Sequence, residues 1–148
     1  MGTDGVGIDK LTRADWIVGV GSVLLALDLL VLPWWSISLG FVSASDTGVG
    51  APDSFLGVLA FLLAAGIAAH VILAKLTRVE LPVLPITWPQ ARVAAASVAA
   101  GFVVLKFLLH LHPSYLSAGC WGGIVLSAVV LGGALRALGE PEGAPPDA

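Results

Sequence analysis

The sequence predicts an all-α integral membrane protein, a bundle of four transmembrane helices with both termini in the cytoplasm. Three observations lead there. Of 148 residues, 57% are hydrophobic and 11% are charged, where soluble domains carry about 25% charged residues. Four apolar runs each approach the roughly 20 residues that a helix needs to cross about 30 Å of hydrocarbon. The basic residues lie to one side of those runs. Mean hydropathy is +0.97. In water such a chain would expose broad apolar patches and aggregate. Its expected solvent is therefore a lipid bilayer, and its expected place the cell membrane, crossed several times.

A cytoplasmic segment over residues 1–13 leads into a membrane domain over 14–138. The first span is read at about 16–35, and Thr12 with Asp15 three residues on is a capping-box pattern before it. Its apolar run is longer than the 7–15 residues of a signal-peptide core, so it is read as a retained helix although Val42-Ser43-Ala44 loosely resembles a cleavage site. Residues 36–54, rich in Ser and Gly, form a loop. Asp53 or Ser54 caps the second span, at about 55–76. In the segment 77–90, Pro82, Pro85 and Pro89 alternate with apolar residues, so it is expected to lie along the membrane surface without a regular helix. Thr87 and Gln90 form a T-x-x-Q box, with Pro89 in the first turn of the third span, read at about 93–111. A short turn around Pro113 leads to the fourth span, at about 116–138. The tail 139–148, with three prolines and three acids, is expected to be disordered.

Lys10, Arg13, Lys75, Arg78, Arg92 and Arg136 all fall at one end of these spans, and the loops 36–54 and 112–115 contain no Lys or Arg. Basic residues mark the cytoplasmic side of membrane proteins. Trp16, Trp34, Trp35, Trp88 and Tyr115 fall near the expected interfaces, as an aromatic belt requires.

Ionisable residues inside spans are costly and are the first candidates for function. Asp28, His70 and Lys106 are the clear ones. At 1.5 Å per residue, Asp28 and Lys106 lie about 18 and 20 Å from the cytoplasmic edge, so an ion pair between them is expected. His110 lies one turn beyond Lys106, and with His70 it completes the set of polar neighbours. An Asp28–Lys106–His110 centre could serve ion or solute movement. A lock between the first and third helices is the structural reading of the same residues. His110 and His112 lack a full ligand set, so no metal is expected. One cysteine, Cys120, excludes a disulfide or a thiolate cluster. No nucleophilic triad, P-loop or dinucleotide motif occurs in a suitable context. Enzymatic activity, a cofactor and nucleic-acid binding are not expected.

Small residues recur at spacing four: Gly119, Gly123 and Ser127 in the fourth span, and Ala60, Ala64 and Ala68 in the second. Shorter pairs are Ala128 with Gly132, Ser97 with Gly101, and Ala96 with Ala100. Such stripes let membrane helices approach closely. They are expected to pack within the chain, with a membrane-protein partner or a second copy as the other use.

Leu32-Pro33-Trp34-Trp35, Lys106-Phe107-Leu108-Leu109 followed by Pro113, and Gly119-Cys120-Trp121-Gly122-Gly123 with Gly132-Gly133 resemble a set of small four-helix actinobacterial membrane proteins. The resemblance covers about 14–138 and implies the four-helix topology and a basic residue late in the third helix. It brings no activity with it. Asp28 departs from its pattern, where an uncharged residue is expected. The sequence thus points to a non-enzymatic accessory or interaction protein of the cell envelope, with a small transporter as the alternative.

Overall fold

Local chemistry sets the helix starts. In the computed structural model, which describes residues 11–77, 79–112 and 114–140, the Thr12 hydroxyl accepts from the Asp15 amide at 3.1 Å. The Asp15 carboxylate accepts from the Thr12 amide at 3.3 Å. This complete capping box starts α1 at Arg13, three residues earlier than the apolar run suggests, and the helix runs Arg13–Val31. The Thr87–Gln90 box is also complete and starts α3, Trp88–Leu109, five residues ahead of the expected position. Both boxes satisfy amides that a helix start leaves unpaired. The second helix, α2, covers Ser54–Leu76, and its N-cap Asp53 is left-handed (φ 53°) with no side-chain cap bond. At its other end the Thr77 hydroxyl donates to the Leu73 carbonyl at 2.6 Å. The last helix, α4, covers Ala118–Gly139 and so passes the expected boundary at 138 by one residue.

The expectation of a wholly helical chain needs correction. The first helix ends at Val31, before Pro33, whose ring and missing N–H resist continuation. The chain turns into β1 (Pro33–Leu39) and β2 (Val42–Thr47), an antiparallel hairpin where a loop was expected. Gly40, at φ 64°, opens its two-residue turn, a conformation that glycine adopts without steric cost. Ile37 pairs with Ala44 and Leu39 with Val42, while Ser36 pairs with Ser45 and Ser38 with Ser43. The ribbon therefore has an apolar face and a serine face. Leu39, Phe41 and Val42 at its tip are exposed. The segment 115–117 binds the other edge of β1, with Ser36 N–H donating to the Tyr115 carbonyl at 3.0 Å and Ser117 N–H to the Trp34 carbonyl at 2.9 Å.

The helices form a ring in which α1 packs on α2, α2 on α3, α3 on α4 and α4 on α1. All four are long and apolar enough to cross a membrane. The outward faces are as apolar as the interior, unlike those of a soluble bundle. Leu, Val and Ile cover them, among them Val20, Leu24, Leu27, Leu62, Leu105 and Val125. The interior packs Val18, Leu25, Leu29, Trp34 and Val103 with small and polar residues, among them Ala60, Ala64, Ser22, Ser127, Asp28 and Lys106. Glycine lets α1 meet α4 closely: a Cβ on Gly21 would lie 3.0 Å from Val130, and one on Gly133 2.7 Å from Ile17. Residues 1–10, Arg78, Pro113 and 141–148 lie outside the described residues, and with them most of the expected N-terminal segment and tail.

Candidate functional site

Polar side chains gather at the two ends of the ring. At the hairpin end, β1 brings Trp34 back under the last turn of α1. The Trp34 indole donates Nε1–H to Asp28 Oδ2 at 3.0 Å, and both residues are buried. Glycines on α4 make room for this pair. A Cβ on Gly119 would lie 2.9 Å from the indole, one on Gly123 2.5 Å from it, and one on Gly122 2.6 Å from Asp28 Oδ1. Asp28 Oδ1 itself has no partner among the described residues. The Gly119–Gly123 stripe thus seats an aromatic ring as well as a helix.

Lys106 is 0% exposed. Its ammonium donates to the Gly50 carbonyl at 2.8 Å, in the segment between β2 and α2. One turn on, His110 Nδ1 lies 3.1 Å from the Lys106 carbonyl, and Nε2 lies 3.4 Å from Asp53. The His110 ring rests on Trp35 with centroids 5.3 Å apart. Asp53 therefore reaches toward His110 and does not cap α2.

The expected Asp28–Lys106 ion pair is not formed. Asp28 is held by Trp34 and Lys106 by Gly50. The physical reason is the ring: α1 and α3 stand across its diagonal, so a pair between them needs a long side chain directed across the interior, as Arg92 is to Asp15 at the other end, whereas Lys106 is directed to Gly50. Equal depth in a bundle does not place two side chains in contact. The aromatic-belt assignment also fails for Trp34 and Trp35, which are buried in the core cluster, whereas Trp16 and Tyr115 are exposed.

At the end that carries both termini, Asp15 is 2% exposed and collects two cations. Arg92 of α3 donates to Oδ1 at 2.6 Å, and Lys75 of α2 lies 3.2 Å from Oδ2. His70, one of the expected polar neighbours, stacks on Trp88 with centroids 4.3 Å apart and planes 21° apart. Both of its ring nitrogens and Arg92 Nε are buried without a partner among the described residues. A cavity of about 200 Å³ lies among Thr12, Asp15, His70, Lys75, Trp88 and Arg92, with Glu140 also on its wall. Sequence reading used Asp15 only as a cap and Arg92 only as an orientation marker. The signal was their position: both stand within a turn of a helix start at the same end of the ring, where the long Arg92 side chain spans the diagonal to Asp15.

The six small residues Gly119, Gly123, Ser127, Ala60, Ala64 and Ala68 are all buried within the chain. Ala128, Gly132, Ser97 and Gly101 face outward. No cluster of three or more metal-binding side chains occurs among the described residues. No protein-family model, curated protein or solved structure matches this chain.

Proposed function

We propose that the protein is a non-enzymatic accessory or interaction protein, crossing the cell membrane four times with both termini in the cytoplasm. The observation that carries this reading is the use of the buried charges. Asp28 holds β1 through Trp34, Lys106 holds the segment before α2 through Gly50, and Asp15 joins α1, α2 and α3 through Arg92 and Lys75. Each charge is engaged in bracing the bundle and its outer hairpin. The hairpin projects on the outer side and presents Leu39, Phe41 and Val42, an apolar tip suited to a membrane-protein partner or a second copy.

A transport role would require Asp28, Lys106 and His110 to share one centre. Only Lys106 and His110 are joined, through a backbone carbonyl. Two measurements test the proposal together. A photo-crosslinking residue at Phe41 is expected to give one discrete adduct in intact cells, and the same residue at the outward-facing Gly132 is expected to give none. Proteoliposomes containing the protein are expected to pass protons and small ions no faster than protein-free liposomes. Flux that disappears in Lys106→Met would overturn the accessory reading in favour of transport.

A further inference from the structure

The cleft at the termini end continues into a second space of different character. His70, Trp88 and Arg92 line the polar cavity, and they also line a groove of about 210 Å³ that runs along α2 and α3 between Leu62, Leu63, Gly66, Ile67 and Ala95. The polar part offers groups without a partner among the described residues: Arg92 Nε–H and the His70 ring, which when neutral carries one N–H donor and one acceptor nitrogen. Buried polar groups without partners are costly, and a ligand that supplies acceptors removes that cost. The apolar part offers no polar group beyond those same three residues. Its floor is open at Gly66, where an added Cβ would meet nothing within 4 Å.

Charge selects the occupant. Lys75 and Arg92 contribute two positive charges and Asp15 removes one. Glu140, on the rim, is 3.6 Å from Arg136 and is balanced by it. Among the described residues one positive charge remains, beside a cavity of about 200 Å³ with unpartnered N–H groups on Arg92 and His70. A singly charged phosphodiester headgroup with an acyl chain attached matches both halves.

We infer that this amphipathic cleft is a binding site for one anionic phospholipid, its phosphodiester among His70, Lys75 and Arg92 and one acyl chain in the α2–α3 groove. Trp88, stacked on His70, stands where headgroup meets chain, the level that tryptophan favours in membranes. Basic pockets between helix ends are a general means of holding anionic lipid headgroups. The inference rests on the membrane reading proposed above.

The test uses the full chain, purified in a neutral detergent and titrated with phosphatidylglycerol under native mass spectrometry. One lipid is expected to be retained per protein, at least about fivefold in preference to phosphatidylcholine at equal concentration. Gly66→Phe, whose Cβ enters open space and whose ring occupies the groove, is expected to reduce retention at least about fivefold, as is Lys75→Gln. Gly132→Phe, on the outward face of α4, is expected to leave it unchanged. Retention equal in wild type, Gly66→Phe and Lys75→Gln would overturn the site. Full displacement by inorganic phosphate, with Gly66→Phe behaving as wild type, would also overturn it, since the ligand would then be an anion without a chain. Protein that stays monodisperse without detergent would refute the membrane reading alone, whereas a wild type that retains no lipid refutes the site alone.

Discussion

Among the described residues Trp34 is the only side chain that hydrogen-bonds Asp28, and the two are separated by six positions across the end of a helix. Trp34→Phe would leave a buried carboxylate without its donor, at a cost on the order of 1–3 kcal/mol. Asp28→Leu would leave the indole N–H unpaired in the same pocket. The double replacement is expected to cost less than the sum of the two, by at least about 0.5 kcal/mol, because no orphan group remains. Unfolding in mixed micelles, followed by circular dichroism, measures this. Asp28→Ala and Lys106→Ala, which share no hydrogen-bond partner, are expected to add. The need of Asp28 for a partner was legible from its burial in an apolar run. The partner was not, because depth along a helix carries no information about rotation or about which helices are neighbours.

The segment before α2 is tied to the bundle by one buried ammonium, at Gly50, and by the Val49 amide, which donates to the Leu29 carbonyl at 3.0 Å. In Lys106→Met the Gly50 carbonyl loses that donor, and a hydrogen bond to a charged group contributes about 1.5–3 kcal/mol. Amide hydrogens over 48–53 are expected to exchange about tenfold faster or more in that variant, with the centres of α1 and α4 unaffected. Helices were readable from apolar run length, and two of their starts from capping boxes. The strands were readable as well: Ser36, Ser38, Ser43 and Ser45 alternate with Ile37, Leu39, Val42 and Ala44 about Gly40, the period of a two-faced ribbon. That signal yields easily to composition, since a serine-rich and glycine-rich stretch between two apolar runs also reads as a loop. Trp34 and Trp35 were assigned to an interface for the same reason, when the strand in fact carries them inward.

For the whole molecule, orientation and cross-bracing can each be checked. With Cys120 replaced by Ser, Ser45→Cys is expected to react with an impermeant thiol reagent in intact cells and Thr77→Cys to remain unlabelled. The reverse pattern would invert the proposed topology. Asp15 joins three of the four helices at one point, and breaking a buried pair costs about 3–5 kcal/mol. Asp15→Asn is expected to lower stability by an amount of that order, read from the same micelle unfolding. The ring also bears on how the chain is made. The seat for Trp34 is cut into Gly119 and Gly123 of α4, which is synthesised after Asp28 of α1 and Trp34 of β1. Until α4 arrives, the Asp28 carboxylate and the Trp34 indole have one wall of their pocket missing. Maturation is therefore a closing step, in which α4 docks beside α1. A chain stopped at residue 112 is expected to insert its three helices yet be cleared by membrane proteases several times faster than the full chain, in a pulse-chase measurement. Supplying residues 113–148 as a separate polypeptide is expected to restore its lifetime.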